Sequence, residues 1–474
     1  MRATVLVSSL LLGACVHVAP APIDLQAAGE RLAKRSLEGA EVAAALTRFD
    51  IAHVPGEPWT LDQFTVAAWV LRTEVAEARL DMQAALADAA AAGRPLFPSF
   101  SVLPEYVTNG AAGVNPWTVT LAAGWTIESG GKRARRAEAG QAAIDVASAR
   151  LGELLWKMRE EVRSAWIDLA LGEARSASAA EEAALREDFA AWVGAQVRFG
   201  AAARPSLLSA EVEAASARAA ADTAEAEVSA ARGRLSRALA LPAEAVAQQP
   251  LAALDLAALP PAAALDVGAL QERALFGRLD LRRGLADYAA AEATLRVELA
   301  RQYPDLVLGP GVGYDRGDHK LVFGLGVNLP DPAGQRHLID RAVVARSRAA
   351  LEVERLQTVA LAEVSAAIAD YRAAQPAVAR AAAAVDERAA IRGAVERRRA
   401  LGSADRGDFL AARLLELGEQ RALLAARRTA ADAESRLETA IERPIWPPSE
   451  LSTADLPIAV PIPESTSVTA RPDR

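Results

Sequence analysis

Tyr303–Gln335, YPDLVLGPGVGYDRGDHKLVFGLGVNLPDPAGQ, decides how the rest of the chain is read. Leu306, Leu308, Val312 and Tyr314 fall on one side of an extended strand, with Pro310 in register among them. Asp305, Val307, Gly309, Gly311 and Gly313 fall on the other. After a polar turn expected at Asp315–Lys320, Leu321, Phe323, Leu325, Val327 and Leu329 alternate with Val322, Gly324, Gly326 and Asn328. Period-two alternation bounded by Asp and Gly predicts a β-hairpin. One face of it is bulky and apolar, the other mostly small. A soluble sheet would bury the bulky face on a core, yet both flanks are Ala-rich helical sequence with little bulk to cover it.

The pattern occurs once before. Phe100, Val102 and Tyr106 alternate with Ser99, Ser101, Leu103 and Glu105, and a turn at Thr108–Pro116 contains Asn109-Gly110. Trp117, Val119, Leu121, Ala123, Trp125 and Ile127 then alternate with Thr118, Thr120, Ala122, Gly124 and Thr126. Hairpins are therefore expected at 99–127 and 305–329, each preceded by an aromatic-proline pair, Phe97-Pro98 or Tyr303-Pro304. Helical sequence follows each. After Ser129-Gly130-Gly131 a helix is expected to about Val197, on the order of 100 Å long at ~1.5 Å per residue. Gly200–Pro205 interrupts it, and a shorter helix runs from Ser206 to about Ala240. In the second half the long helix runs to about Ala400, breaks at Gly402–Gly407 and resumes from Asp408 to Glu442.

The two interruptions align residue by residue, GAAARPSLLSA at 200–210 with GSADRGDFLAA at 402–412. A period of about 200 residues makes each half a whole fold unit. The expected division is 16–262 for the first repeat, with its interruption at 199–208, and 263–443 for the second, with its interruption at 401–410. Ahead of the hairpins, helices are expected at Ile23–Ala52, from Thr60 to about Ala92, and at Val267–Gln302. A proline-richer connection spans Pro242–Pro261, and the Pro- and Ser/Thr-rich tail 444–474 is expected to be extended or disordered.

At 474 residues, with 5% aromatic and 24% charged side chains, the composition is that of long helices or coiled coils. The net charge of −8 gives no reason to expect nucleic acid, which demands a basic patch. Residues 1–15, MRATVLVSSLLLGAC, read as a secretory signal peptide, too short to cross a bilayer. Leu12-Gly13-Ala14-Cys15 resembles the lipobox of bacterial lipoproteins. That resemblance implies a covalent lipid on Cys15, and Val16 after it, in place of Asp, favours the outer membrane. Cys15 is the only cysteine, so an intramolecular disulfide is excluded. Beyond the signal there is no apolar run long enough for a transmembrane helix.

Strands of roughly nine to eleven residues suffice to cross a bilayer at a tilt. Lipid tolerates no open strand edge, and four strands cannot close on themselves, so one chain cannot make a pore alone. Three copies would supply twelve strands and two copies eight. In this reading Trp117, Leu121, Trp125, Phe323 and Leu325 meet lipid, while Thr118, Thr120, Gly324, Gly326 and Asn328 line a lumen. The competing reading is two soluble hairpins covered by the helices. The long helices carry Arg159, Glu160, Glu161, Arg163, Glu352, Glu354 and Arg355, so they are expected to run in water as coiled-coil walls. Leu151, Leu155, Val162, Trp166 and Leu169 form their apolar seam.

Taken together, the lipobox, the duplication, the four strands placed two per half, the unequal helix pairs and the paired glycine interruptions resemble the TolC family of outer-membrane efflux proteins. Arg278-Leu-Asp280-Leu281, Tyr288-Ala-Ala-Ala-Glu292-Ala293 and Gln302-Tyr-Pro-Asp-Leu306 are similar to the second half of such proteins, especially members associated with heavy-metal efflux. The resemblance covers essentially the whole mature chain. It implies a mainly α fold with a small membrane β part, in which a homotrimer builds a twelve-stranded β-barrel and a periplasmic α-barrel. It also implies a periplasmic adaptor and an inner-membrane pump as partners, and a lipid-anchored place in the outer membrane. Gly200, Arg204 and Leu208, with Gly402, Arg406 and Leu410, match the periplasmic tip where the family meets its adaptor. Asp408 falls where an aspartate helps form a constriction ring, with Ser206 at the equivalent place in the first repeat and Ala411 where relatives can carry a further acid. Arg204 and Arg406 read equally well as solvated turn residues.

Nothing in the sequence argues for an enzyme. His17, His53, His319 and His337 are scattered without ligand spacing, so no metal site or cofactor is expected. Gly309-Pro-Gly311-Val-Gly313 lies within a strand pattern and lacks the Lys-Ser/Thr of a phosphate loop. Glu160-Glu161 and Glu181-Glu182 read as solvated helix faces, and His319 as a surface residue of the outer loop. The expected function is a passive conduit from periplasm to exterior. The alternative is a periplasmic coiled-coil lipoprotein with a scaffold role.

Overall fold

The computed structural model describes residues 18, 20–109, 113–247, 249–252, 261–315 and 317–445. The signal segment with Cys15, Gly110 of the first turn and nearly all of the tail lie outside the described residues. Helices α1 (Leu25–Ala33), α2 (Ala40–Arg48), α3 (Leu61–Leu71) and α4 (Thr73–Ala92) precede β1 (Ser99–Tyr106) and β2 (Trp117–Ile127). Then come α5 (Lys132–Arg198), α6 (Arg204–Leu239) and the short α7 (Ala243–Ala247). The order recurs: α8 (Val267–Phe276), α9 (Leu279–Arg301), β3 (Asp305–Asp315), β4 (Asp318–Asn328), α10 (Pro332–Ala400) and α11 (Arg406–Ile441).

Three expected helices are broken in two. Ile23–Ala52 divides at Lys34–Gly39, where Leu37 plugs the core, into α1, capped by the Asp24 carboxylate, and α2. Thr60 caps α3 through a capping box with Gln63, as expected, but the helix stops at Leu71. The expected Val267–Gln302 helix likewise stops before Arg278. Both breaks have the same cause. Arg72 and Arg278 take extended backbone and each ties two carboxylates: Arg72 holds Glu74 at 2.7 Å and Glu161, and Arg278 holds Asp280 at 2.8 Å and Glu363 at 2.7 Å. A clamp to a residue some 90 positions away leaves no trace in local helix propensity.

In the upper part the helices form a layer in the order α4, α5, α9, α10. In the lower part α6 and α11 pack on α5, and α11 also packs on α10. Two apolar cores sit where α2–α4 and α8 meet the long helices. Trp59, Phe64, Leu71, Val162, Ile167 and Leu235 lie in one, and Leu270, Val364, Tyr371, Leu437 and Ile441 in the other. The Pro242–Pro261 connection is more than a tether, because Trp59 exchanges backbone hydrogen bonds with Pro250 and Ala252.

The strands form one antiparallel sheet in the order β1-β2-β3-β4. Its register sets Val102 opposite Leu121, Leu121 opposite Val312, and Val312 opposite Leu321. Both hairpins lie at 99–127 and 305–328, where expected. The second turn is far tighter than the anticipated Asp315–Lys320: Asp315 pairs directly with Asp318. Gly317 supplies the left-handed residue, at φ +115°, and the Lys320 ammonium bonds the Asp315 carboxylate across the strands.

Candidate membrane sheet and helical tip

Register puts Trp117, Leu121, Trp125, Phe323 and Leu325 on one face of the sheet, together with Phe100, Val102, Leu308, Val312 and Leu321. That face is bare. Phe323 is 82% exposed, Leu325 72% and Trp125 57%, and among the described residues the strands pack extensively only on one another. The reading in which helices cover the hairpins is therefore not the fold observed. Apolar surface left in water forgoes about 25 cal/mol per Å², and among the described residues nothing covers this face. The opposite face is small by necessity: a Cβ on Gly311 would stand 2.7 Å from the Leu121 carbonyl oxygen. Thr118 donates to Asp315 there at 3.1 Å. β1 and β4 both end the sheet with unpaired edges, and β4 is exposed along its whole length. Aromatic rings gather at the turn end, with Tyr106 against Trp117 and Tyr314 against His319. At the other end Lys132 and the Ser129 amide hold Asp305, which joins the sheet rigidly to α5. No described helix is long and apolar enough to cross a membrane.

At the far end of the long helices, Gly200 and Gly402 adopt the same left-handed backbone, φ +73°. The turns match in hydrogen bonding too: Ala201 donates to Gln196 and Ser403 to Arg398. Arg204 opens α6 and Arg406 opens α11, where it reaches Asp188 of α5 at 3.1 Å. Asp408 is exposed, and its carboxylate accepts the Asp405 amide while the Asp405 carboxylate accepts the Asp408 amide, a reciprocal helix cap. Ser206 is also exposed and, with Asp405, Phe189, Trp192 and Gln196, lines a cleft of about 410 Å³. Leu410 is buried, whereas Leu208 at the equivalent place is half exposed. Gly407 lies directly under Trp192, where a Cβ would come within 2.4–2.7 Å of ring carbons.

Between tip and core, α11 is tied to α5 by ion pairs. Arg413 meets Glu181, Arg421 meets Glu182, and Arg428 meets Asp168. Higher up the series becomes buried: Arg159 holds Glu438 at 3.0 Å, and Arg163 holds both Glu434 and Glu438. Arg159 and Arg163 are thus core residues, not solvated ones, and burial lowers the pKa of the Arg163 guanidinium. Burial also pushes the neighbouring Glu160 carboxyl up, although Trp156 donates to it. Glu181-Glu182 and Glu160 therefore depart from the expected solvated faces. The signal was present in the sequence as arginines at heptad-like spacing, Arg406, Arg413, Arg421 and Arg428, opposite acids of α5.

The top of α11 meets the start of α9. Glu442, in left-handed backbone, accepts the amides of Leu279 and Asp280 beside Arg278. Burial, and then the like charge of Asp280, push its carboxyl up to about 7. No group of three or more His, Cys, Asp or Glu residues suited to a metal ion occurs among the described residues.

Residues 270–442 match the outer membrane efflux protein family. The chain is 26% identical over 293 residues to nodulation protein T of Rhizobium leguminosarum bv. viciae, a match covering 58% of this chain and 59% of that relative's length. Solved structures share the fold. The outer membrane protein VceC of Vibrio cholerae superposes with a TM-score of 0.65 at 19% identity, covering 81% of this chain and 96% of its own. The outer-membrane channel OprN gives 0.65 at 19%, over 90% and 98%. The Campylobacter jejuni channel CmeC gives 0.65 at 14%, over 90% and 93%. The second half of the chain thus matches the outer membrane efflux protein family in sequence, and the chain as a whole shares its fold with solved outer-membrane channels.

Proposed function

We propose that three copies of this chain form the outer-membrane channel of a tripartite efflux system, a passive conduit from periplasm to exterior. The observation that carries the reading is the bare apolar face of a four-stranded sheet with two unpaired edges, on a chain whose described helices cannot span a bilayer. Lipid supplies the missing apolar cover, and pairing β4 of one copy with β1 of the next removes every edge. Two repeats, 16–262 and 263–443, give each copy a pseudo-two-fold share of a twelve-stranded barrel. The long, ion-paired helices then continue the tube through the periplasm. Cys15 carries a lipid that anchors the chain in the outer membrane.

The tip, with Gly200, Arg204, Leu208, Gly402, Arg406 and Leu410, is the docking end for a periplasmic adaptor and an inner-membrane pump, which supplies the energy. Ser206 and Asp408 stand at the narrowest part, where three symmetry-related carboxylates would attract cations and repel anions. The test is the oligomer and its conductance: heat-resistant trimers in detergent extracts of outer membrane that open ion-conducting pores in planar bilayers. A monomer released by washing and without conductance overturns the reading and leaves a periplasmic scaffold protein.

A further inference from the structure

The upper helices lie in the order α4, α5, α9, α10, so α4 and α10 form the two outer flanks of the layer. The inner seam between α5 and α9 shows what such a flank is built to hold. Ala142, Val146, Ala149 and Glu153 of α5 recur at alternating four- and three-residue spacing, a coiled-coil stripe. Ala142 and Val146 are buried, Gly152 abuts Leu279, and Glu153 pairs with Arg283 of α9 at 3.0 Å.

The internal repeat carries this seam over to the outer flanks. Gly200 and Gly402 set the long helices 202 positions apart, and Phe97 and Tyr303 set the preceding helices 206 apart. Both spacings are confirmed by the arginine clamps, since Arg72, Glu74 and Glu161 fall on Arg278, Asp280 and Glu363. Buried Val162, Ala165 and Leu169 likewise fall on buried Val364, Ala367 and Tyr371. On α10 the stripe becomes Arg341, Val344, Arg348, Leu351 and Arg355. All five are exposed in the single chain, Val344 at 67% and Leu351 at 66%. On α4 the counterpart of the α9 face becomes Glu77, Leu80, Asp81, Ala84 and Asp88, also exposed. One flank is a ladder of arginines at heptad spacing; the other is a ladder of acids.

We infer that the exposed flank of α10 is a docking surface for α4 of a second copy of this chain, seated as α9 seats on α5. Antiparallel register places Glu77, Asp81 and Asp88 of the second copy beside Arg355, Arg348 and Arg341, with Leu80 against Leu351. Glu153–Arg283 within the chain thus returns between chains with its charges exchanged, as Arg355–Glu77. The inner seam carries three ion pairs, Glu153–Arg283, Arg150–Asp287 and Glu138–Arg296, and this one likewise carries three oppositely charged rungs. Rungs of this kind fix register and select a like copy over other helical proteins, since a slipped register brings charge against apolar side chains. At the same seam Phe97, almost fully exposed in the single chain, comes to the place that its counterpart Tyr303 fills against Gly130 within it.

This inference rests on the trimeric channel reading and is tested so that the two can fail separately. The full-length chain carrying Glu77→Cys and Arg355→Cys is treated in outer membranes with a short bismaleimide. Cys15 is the chain's only native cysteine, so the two single-substitution chains serve as controls. Cross-linked dimers and trimers should appear only with the double substitution. In parallel, Asp81→Arg should lower the trimer yield about tenfold, and adding Arg348→Asp should restore it to within about threefold, as expected for coupled charges desolvated in an interface. If wild-type trimers conduct but neither cross-link nor rescue is seen, the seam is wrong and the channel reading stands. If the wild-type chain is a monomer without conductance, both fall.

Discussion

Glu442→Gln should stabilise the protein at neutral and higher pH and leave it unchanged in acid. Glu442 is 8% exposed, and its carboxylate faces two backbone amides, Arg278 and the like-charged Asp280. Burial and Asp280 together raise its carboxyl from 4.5 to about 7. A folded-state value above the unfolded one means that folding disfavours the ionised form. The stability associated with the protonated carboxyl is fully present below about 4.5 and is lost as pH rises through about 7. At roughly 1.4 kcal/mol per unit the loss is on the order of 3 kcal/mol. Glutamine keeps an oxygen for the Leu279 and Asp280 amides and cannot ionise. The left-handed turn does not need the carboxylate, because Ala240 ends α6 with the same backbone, φ 52° against 49°. Thermal melts of the detergent-solubilised protein, followed by far-UV circular dichroism from about pH 4.5 to about pH 8, provide the assay. The gap between variant and parent should open as pH rises. A gap independent of pH, or a variant less stable at the alkaline end, refutes the assignment of an ionisable strain to this junction.

Two further substitutions probe the joints between the halves. Arg163→Met leaves Glu434 buried without its arginine and should cost about 3–5 kcal/mol, much of it recovered when Glu434 is also made leucine while Glu438 keeps Arg159; chemical melts of the three chains check this. Gly407→Val drives a side chain into the Trp192 ring and should cost about 1–3 kcal/mol, with Trp192→Leu in the same chain restoring stability.

The hairpins were legible because alternation and strand faces are local properties: each side chain's face follows from its parity, and the sheet register confirms it from Phe100 to Val327. The tip glycines were legible because a left-handed turn between helices leaves few alternatives to glycine. Where side chains reach across the fold, the sequence said less. Arg72 ends α3 by holding Glu161, and Asp315 pairs past its expected turn because Lys320 reaches back to it. Arg159 and Arg163 looked solvated because charge along a helix usually is, and only the packing of α11 on α5 buries them. Asp408 stands out by its position in the sequence, whereas its capping partner Asp405 and the neighbouring wedge of Trp192 on Gly407 do not. The first lies three residues away and fits a known cap pattern; the second is a contact between distant segments with no local signature.

The central claim is that the bare sheet is one chain's share of a membrane pore. Single-channel recording of the purified detergent extract in planar lipid bilayers tests it most directly. Stepwise conductance carried by heat-resistant trimers, and lost when Leu325 on the apolar face is replaced by arginine, is the result expected from a closed lipid-facing barrel. A monomeric extract that leaves the bilayer silent would contradict it.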